Sequence, residues 1–120
     1  MQVLTIDDSA TMRKIIRDFL HKMGDFTIEE AENCDEGLKK LAATKTDLVL
    51  VDWNMPGMTG IDFVKAVRSV PALAKIPIVM ITSNAEKQQV LSAVMAGVNA
   101  YIVKPFTADT FTQKLSEVIG

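Results

Sequence analysis

The side chains with the clearest capacity for chemistry stand directly after short apolar runs of the sequence. They are Asp7, Asp8, Asp52, Thr82 and Lys104. The three carboxylates would repel one another if they lay close together, and a divalent cation is the simplest means of neutralising them. Oxygen ligands with few carboxylates suit Mg²⁺, which retains several water molecules. A carboxylate beside such an ion, with a hydroxyl and an ammonium group nearby, is equipped for phosphoryl transfer. Asp52, in the middle of the group, is the predicted nucleophile, because aspartate can form an aspartyl phosphate.

These side chains converge only if the chain folds into alternating strands and helices, and its apolar pattern predicts this alternation. The predicted strands are residues 3–6, 26–31, 48–51, 78–81 and 100–103, and the predicted helices are about 9–23, 34–43, 61–69, 86–96 and 107–119. Five such units fit one parallel sheet with helices on both faces, because parallel strands need right-handed crossovers. A strand order of 2-1-3-4-5 then sets Asp7 and Asp8 against Asp52 at the carboxyl edge of the sheet, where ligands bind.

Three local features of the helices are predicted as well. Thr107 is expected to N-cap the last helix, and Gly37 weakens the centre of the second. The side chains of the fourth helix that are predicted to face inward are Val90, Leu91, Val94 and Met95.

The composition limits the functional classes. A chain of 120 residues with 48% hydrophobic residues predicts a single domain over 1–120 and leaves no room for a fused output module. A formal net charge of −2 offers no basic field for nucleic acid or an anionic membrane surface, and no apolar run is long enough to span a bilayer. We therefore expect a cytoplasmic protein. Cys34 is the sole cysteine and His21 the sole histidine, which excludes an internal disulfide and a Cys/His zinc site.

Taken together, four motifs resemble the receiver domain of two-component response regulators, and especially its single-domain chemotaxis members. They are Ile6-Asp7-Asp8-Ser9, Asp52-Trp53-Asn54-Met55-Pro56-Gly57, Ile81-Thr82-Ser83 and Tyr101-Ile102-Val103-Lys104-Pro105-Phe106-Thr107. The acidic pair alone is a weak signal, whereas the complete set, in order across nearly the whole chain, is specific. The resemblance implies a flavodoxin-like, doubly wound fold and a signalling phosphoacceptor that is not an enzyme beyond its own phosphoryl transfer and dephosphorylation.

For the acidic residues, the resemblance implies a phosphoacceptor and a metal site. Asp52 would accept a phosphoryl group from the phosphohistidine of a chemotaxis-type histidine kinase. Asp8, Asp52 and the backbone carbonyl of Asn54 would bind Mg²⁺, and Asp7 would act mostly through metal-bound water.

For the remaining motif residues, the resemblance implies a switch. Thr82 and Lys104 would contact the phosphoryl group, Tyr101 would move inward as Thr82 shifts, and the Lys104–Pro105 peptide bond would be cis. The face formed by the fourth helix, fifth strand and fifth helix would then bind the flagellar motor switch, with the protein acting as a monomer. Asn84 stands where the chemotaxis pattern often has an acidic residue, which leaves open the lifetime of the phosphorylated state and its response to an auxiliary phosphatase.

Other interpretations of the same residues remain open. The domain could instead relay its phosphoryl group to a histidine phosphotransfer protein. A phosphatase of the haloacid dehalogenase type and a flavodoxin-like cofactor binder fit poorly, because the first needs an Asp-x-Asp motif on strand one and a cap domain, and the second a hydroxyl-rich phosphate loop. Each position also has a purely structural interpretation. Asp8 or Ser9 could serve merely to cap the first helix, and Lys104 could serve merely as an ion-pair partner of Asp8. Tyr101 and Trp53 could be ordinary packing residues.

Overall fold

The computed structural model describes residues 1–53, 55, 57–83 and 87–119, and for residues 87–90 the backbone alone. Five parallel strands form one sheet in the order β2-β1-β3-β4-β5. The strands are β1 Gln2–Ile6, β2 Thr27–Ala31, β3 Leu48–Asp52, β4 Ile78–Thr82 and β5 Ala100–Val103. The helices are α1 Ala10–Met23, α2 Cys34–Ala43, α3 Gly60–Ser69, α4 Lys87–Ala96 and α5 Ala108–Ile119, with a short 3₁₀ turn at Pro71–Leu73. The predicted fold class and strand order are confirmed.

Both faces of the sheet are covered by helices, which explains the continuous apolar runs of β3 and β4. Leu4, Val51 and Phe63 belong to a core cluster on the side of α2, α3 and α4. Leu50 and Phe111 belong to the opposite cluster, which is formed with α1 and α5. Every residue of β3 and β4 is buried, as expected for inner strands with two covered faces. The two clusters hold the strand ends in fixed positions.

Four of the helices that follow the carboxyl edge of the sheet are capped at their amino ends by polar side chains. The hydroxyls of Ser9, Thr59 and Thr107 and the side-chain carbonyl of Asn33 each accept a backbone N–H from the first turn of α1, α3, α5 and α2 respectively, at 2.8 to 3.2 Å. These bonds satisfy N–H groups that have no partner within the helix. The predicted cap at Thr107 is confirmed, and the residue that caps α1 is Ser9.

Two glycines permit close packing near the site. A Cβ atom at Gly60 would lie 2.7 Å from the carbonyl oxygen of Asp52, so the start of α3 packs directly against the end of β3. A Cβ atom at Gly37 would collide with the side chain of Ile6. α2 nevertheless runs unbroken through Gly37, because its close contact with β1 offsets the low helix propensity of glycine.

The predicted helix α4 is present, but its predicted inward face is wrong at the three positions whose side chains the structure describes. Leu91, Val94 and Met95 are 55%, 56% and 78% exposed, whereas Ala93 is buried. The side chain of Val90 lies outside the described residues. Apolar residues occupy several sides of this helix, so its periodicity does not define one inner face. The helix packs through a small residue and leaves the larger apolar side chains on the surface.

No helix in the described part of the chain combines the length and the apolar character that a bilayer crossing requires.

Candidate functional site

Three aspartates meet at the carboxyl edge of the sheet. One carboxylate oxygen each from Asp7, Asp8 and Asp52 lies within 4.8 Å of the other two. β1 and β3 are neighbours, with Ile6 paired to Val51, so the residues that end these strands are brought side by side. Asp7 and Asp52 are 1% and 7% exposed, while Asp8 is exposed. The predicted convergence is confirmed, and one member of the cluster faces solvent.

Lys104 lies between the two buried carboxylates. Its ammonium nitrogen is 3.4 Å from an oxygen of Asp7 and 3.4 Å from an oxygen of Asp52. The sequence left open a simple pairing with Asp8, and the structure pairs Lys104 with Asp7 and Asp52 instead. Among the described residues, this ammonium group pairs with two of the three carboxylates, and the remaining negative charge of the cluster suits a divalent cation.

The loop that carries Lys104 is held against the neighbouring strand. The backbone N–H of Lys104 donates to the carbonyl oxygen of Thr82 at 2.7 Å, and Thr82 itself is buried at the end of β4. The Lys104–Pro105 peptide bond is cis, as the resemblance implies. The next side chain, Phe106, packs against the rings of Phe19 and Phe111 with centroids 6.0 and 5.7 Å away. These ring contacts hold the segment after β5 in place, and Lys104 reaches Asp7 and Asp52 from this segment.

Backbone contacts fix Asp7 as well. Its N–H donates to the carbonyl of Ala31 at 3.1 Å, and its carboxylate accepts the N–H of Ser9 at 2.9 Å. The Asp7 carbonyl accepts a 2.6 Å hydrogen bond from Arg13, whose guanidinium also forms an ion pair with Glu30 at 3.2 Å. Sequence reasoning missed Arg13, because a contact with a backbone carbonyl leaves no motif. The spacing of Arg13 and Arg17 on one helical face was the only available signal.

Two predicted positions lie outside the described residues. These are Asn54, whose carbonyl the resemblance assigns to the metal, and Asn84, which bears on the lifetime of the phosphorylated state.

Tyr101 is half-buried within β5, where it pairs with Met80 and packs against the core cluster on the α4 side. Its ring centroid is 5.8 Å from the ammonium nitrogen of Lys114. A shallow surface pocket beside the ring is lined by Val94 and Glu117 among others. The ring therefore has the core on one side and solvent on the other.

Trp53 and Cys34, which lie near Asp52, belong to the core packing on the α2, α3 and α4 side of the sheet. Trp53 is half-buried against the core, and its backbone bonds to β4 and to the start of α3. The thiol of Cys34 is buried, and its pKa is raised to about 11, first by burial and then by the negative charges of Asp35, Asp62 and Asp52. Such a thiol is a poor nucleophile at neutral pH.

Comparison with known proteins decides the family. The family model of the response regulator receiver domain matches residues 3–116 of the chain. The chain belongs to the response regulator receiver domain family. This receiver domain is 47% identical to the chemotaxis protein CheY1 of Helicobacter pylori over 121 residues, covering 100% of the chain and 98% of the relative. It is 42% identical to the chemotaxis protein CheY of Pseudomonas aeruginosa over 118 residues, covering 98% and 95%.

Solved structures agree with the receiver fold. The chemotaxis response regulator CheY4 of Vibrio cholerae superimposes with a TM-score of 0.92 at 33% identity, covering 98% of each chain. The family consists of signalling domains, so the receiver domain is a signalling module with an acidic cluster at its carboxyl edge.

Proposed function

We propose that this receiver domain is a phosphorylation-activated chemotaxis response regulator, which accepts a phosphoryl group on Asp52 and then binds the flagellar motor switch. The observation that carries the proposal is the position of the Asp52 carboxylate beside Lys104 and two further aspartates at one sheet edge. Full-length relatives that are named chemotaxis proteins support the biological setting. A chemotaxis-type histidine kinase is the expected phosphoryl donor.

The acidic cluster fits Mg²⁺. Its side-chain donors are all carboxylate oxygens, and the exposed Asp8 leaves room for the water molecules that Mg²⁺ retains. We expect Asp8, Asp52 and the carbonyl of Asn54 to hold the ion directly, and Asp7 to act through water. When bound, Mg²⁺ neutralises negative charge on the phosphoryl oxygens and on the carboxylates that surround them.

Asp52 then acts as the nucleophile in a displacement at phosphorus. One of its carboxylate oxygens bonds to phosphorus while the phosphorus–nitrogen bond of the phosphohistidine breaks, and the imidazole nitrogen leaves with that electron pair. Lys104 lies 3.4 Å from Asp52, a loose contact that can shorten around a phosphoryl oxygen. Thr82, buried beside it, supplies a hydroxyl. Contacts that strengthen as the charge arrives are those that accelerate the transfer.

The exposed apolar side chains of α4 support a binding output. Leu91, Val94 and Met95 lie on the surface of α4, and Tyr101 lies behind them on β5. Grouped apolar side chains on a surface mark protein interaction sites. We expect this face to have two arrangements, one of which binds a motor-switch peptide. The phosphoryl group favours that arrangement to the extent that it interacts more strongly with it than with the other.

Acetyl phosphate tests the phosphoacceptor. With Mg²⁺ present, intact-protein mass spectrometry should detect one added phosphoryl group on the wild-type domain and none on Asp52→Asn. Asp62→Asn is the matched control, because Asp62 is an exposed aspartate at the start of α3 and should leave incorporation unchanged. Persistent labelling of Asp52→Asn would show that Asp52 is not the acceptor.

The output is tested separately from the acceptor. A flagellar switch peptide should bind the phosphorylated domain at least tenfold more tightly than the unphosphorylated one, a difference of about 1.4 kcal/mol. Equal binding in both states, together with transfer of the phosphoryl group to a histidine phosphotransfer protein, would favour the relay.

A further inference from the structure

We propose that Arg13 is a positioning residue for the acidic cluster, which fixes the peptide group between Asp7 and Asp8 and thereby sets the affinity for Mg²⁺. This inference rests on the proposed function, in which the cluster binds that ion. Arg13 belongs to none of the motifs, and it contacts the site through the backbone alone.

The contact acts on the peptide that leads into Asp8. A guanidinium N–H of Arg13 donates to the Asp7 carbonyl oxygen at 2.6 Å. A peptide group is planar, so fixing that oxygen also fixes the direction of the Asp8 N–H and restrains the path of the chain at Asp8. Within the described part of the chain, no hydrogen bond holds the exposed Asp8 carboxylate itself. Its direction therefore depends on the backbone that Arg13 holds.

Arg13 is itself clamped between two elements. Its Nε donates to one carboxylate oxygen of Glu30 at 3.2 Å, while Arg17 donates to the other oxygen at 2.8 Å. Glu30 lies on β2, in register with Thr5 of β1. The Arg13 side chain is only 12% exposed. The guanidinium thus links the edge strand to the loop of the site, and its planar fork reaches both acceptors at once.

A lysine cannot reproduce this link. Its ammonium group is a single point on a flexible stem, whereas the guanidinium presents donors in a fixed planar arrangement. Arg13→Lys therefore keeps the charge and removes the simultaneous contact with Asp7 and Glu30. Groups that orient metal ligands from outside the coordination sphere change metal affinity by about tenfold or more when they are replaced.

If Arg13 acted through its charge alone, its removal would strengthen Mg²⁺ binding instead of weakening it. Removing a positive charge near the cluster draws Mg²⁺ in more strongly, so the charge effect and the positioning effect of Arg13→Gln have opposite signs. Arg17 provides the matched control. Arg17→Gln also removes one positive charge and one ion pair with Glu30, and Arg17 makes no contact with Asp7 among the described residues.

The test is a calorimetric titration of the unphosphorylated domain with Mg²⁺. We expect Arg13→Lys and Arg13→Gln to bind Mg²⁺ about tenfold more weakly than the wild type. Arg17→Gln should stay within about twofold, or bind slightly more tightly. Urea unfolding without Mg²⁺ should show that every variant is fully folded under the conditions of the titration, which separates positioning from loss of the folded state.

Each outcome is decisive. Unchanged Mg²⁺ affinity in Arg13→Lys, or an equal weakening in Arg17→Gln, overturns the role of Arg13. A wild-type domain that binds no Mg²⁺ overturns the metal site of the proposed function as well. At saturating Mg²⁺, phosphorylation of Arg13→Lys by acetyl phosphate should recover towards the wild-type rate, because Arg13 acts through the metal ligands. A defect that persists there would overturn this route of action.

Discussion

Among the described residues, the guanidinium group of Arg68 at the amino end of the sheet meets only neutral oxygen atoms, whereas at the carboxyl end one ammonium group pairs with two of three clustered carboxylates. Arg68 donates to the carbonyls of Gly97 and Ile76, each at 2.7 Å, and to the side-chain oxygen of Asn99 at 3.1 Å. Partial burial lowers the pKa of its guanidinium from the ordinary value. Its donors are nevertheless well matched by acceptors of the chain, so Arg68 is satisfied without a ligand.

The carboxyl end is built the other way. Asp7 and Asp52 are buried close to Asp8, and Lys104 balances only part of their charge. An arrangement of like charges costs stability unless a cation joins it. The contrast shows that the charged group at the amino end is satisfied by neutral acceptors, whereas the carboxyl end gathers like charges in an arrangement compatible with an incoming cation.

Of the substitutions that test this comparison, Arg68→Met should have the largest effect on the free energy of unfolding. It removes a charged donor that joins α3 to the segments entering β4 and β5, and we expect the free energy of unfolding to fall by about 2–3 kcal/mol. Urea unfolding measures this loss, and Arg68→Lys should recover only part of it. The Mg²⁺ affinity should not change. A loss below about 0.5 kcal/mol, the usual range of surface substitutions, would mean that water replaces the contacts of Arg68.

Magnesium should stabilise the carboxyl end by a smaller amount. At a concentration ten times its dissociation constant, Mg²⁺ should raise the unfolding free energy of the wild type by about 1.4 kcal/mol. Asp8→Asn should lose this response, because it removes a carboxylate that we expect to hold the ion. Without Mg²⁺ the same variant should be as stable as the wild type, or more stable by up to about 0.5 kcal/mol, since one repulsive charge is gone.

Mg²⁺ titrations of the wild type and of Asp8→Asn in a buffer without Ca²⁺, followed by thermal unfolding, check this prediction. Asp62→Asn serves as the control, because Asp62 is exposed and lies outside the cluster. An equal response to Mg²⁺ in wild type and Asp8→Asn would contradict the assignment of Asp8 as a ligand. A clear loss of stability in Asp8→Asn without Mg²⁺ would contradict the view that the carboxyl end is repulsive.

The sequence predicted the carboxyl end better than the amino end. Apolar runs locate strand ends, and parallel strands all end at one edge, so the meeting of Asp7, Asp8 and Asp52 follows from local pattern and topology. The sequence did not reveal Arg68 at the amino end or Arg13 at the carboxyl end, and both arginines bind backbone carbonyls of other segments. Every residue has a carbonyl, so no motif marks such contacts in advance.

The outward face of α4 was unpredictable for a different reason. Ala93 provides the buried contact, while Leu91 and Met95 are exposed. Hydrophobic periodicity assumes that the larger apolar residues are buried, and this assumption fails at α4, where they lie on the surface.

The smallest predicted effect measures how far the charge of the carboxyl end reaches. Burial, Asp35, Asp62 and Asp52 together raise the pKa of the Cys34 thiol from 9.0 to about 11. The folded state therefore holds the thiol proton more tightly than the unfolded state. The stability linked to this proton is complete below pH 9 and is lost as the pH rises towards 11.

Cys34→Ala lacks this proton, so its stability should fall less steeply between pH 9 and 11 than that of the wild type. Asp52→Asn should lower the pKa of the Cys34 thiol slightly, because the charge of Asp52 makes the smallest of the contributions that raise this pKa. Thiolate absorbance as a function of pH measures the shift directly. An identical titration in Asp52→Asn would confine the field of the cluster to its own edge, and a thiol that titrates near its ordinary value of 9.0 would show that water reaches Cys34.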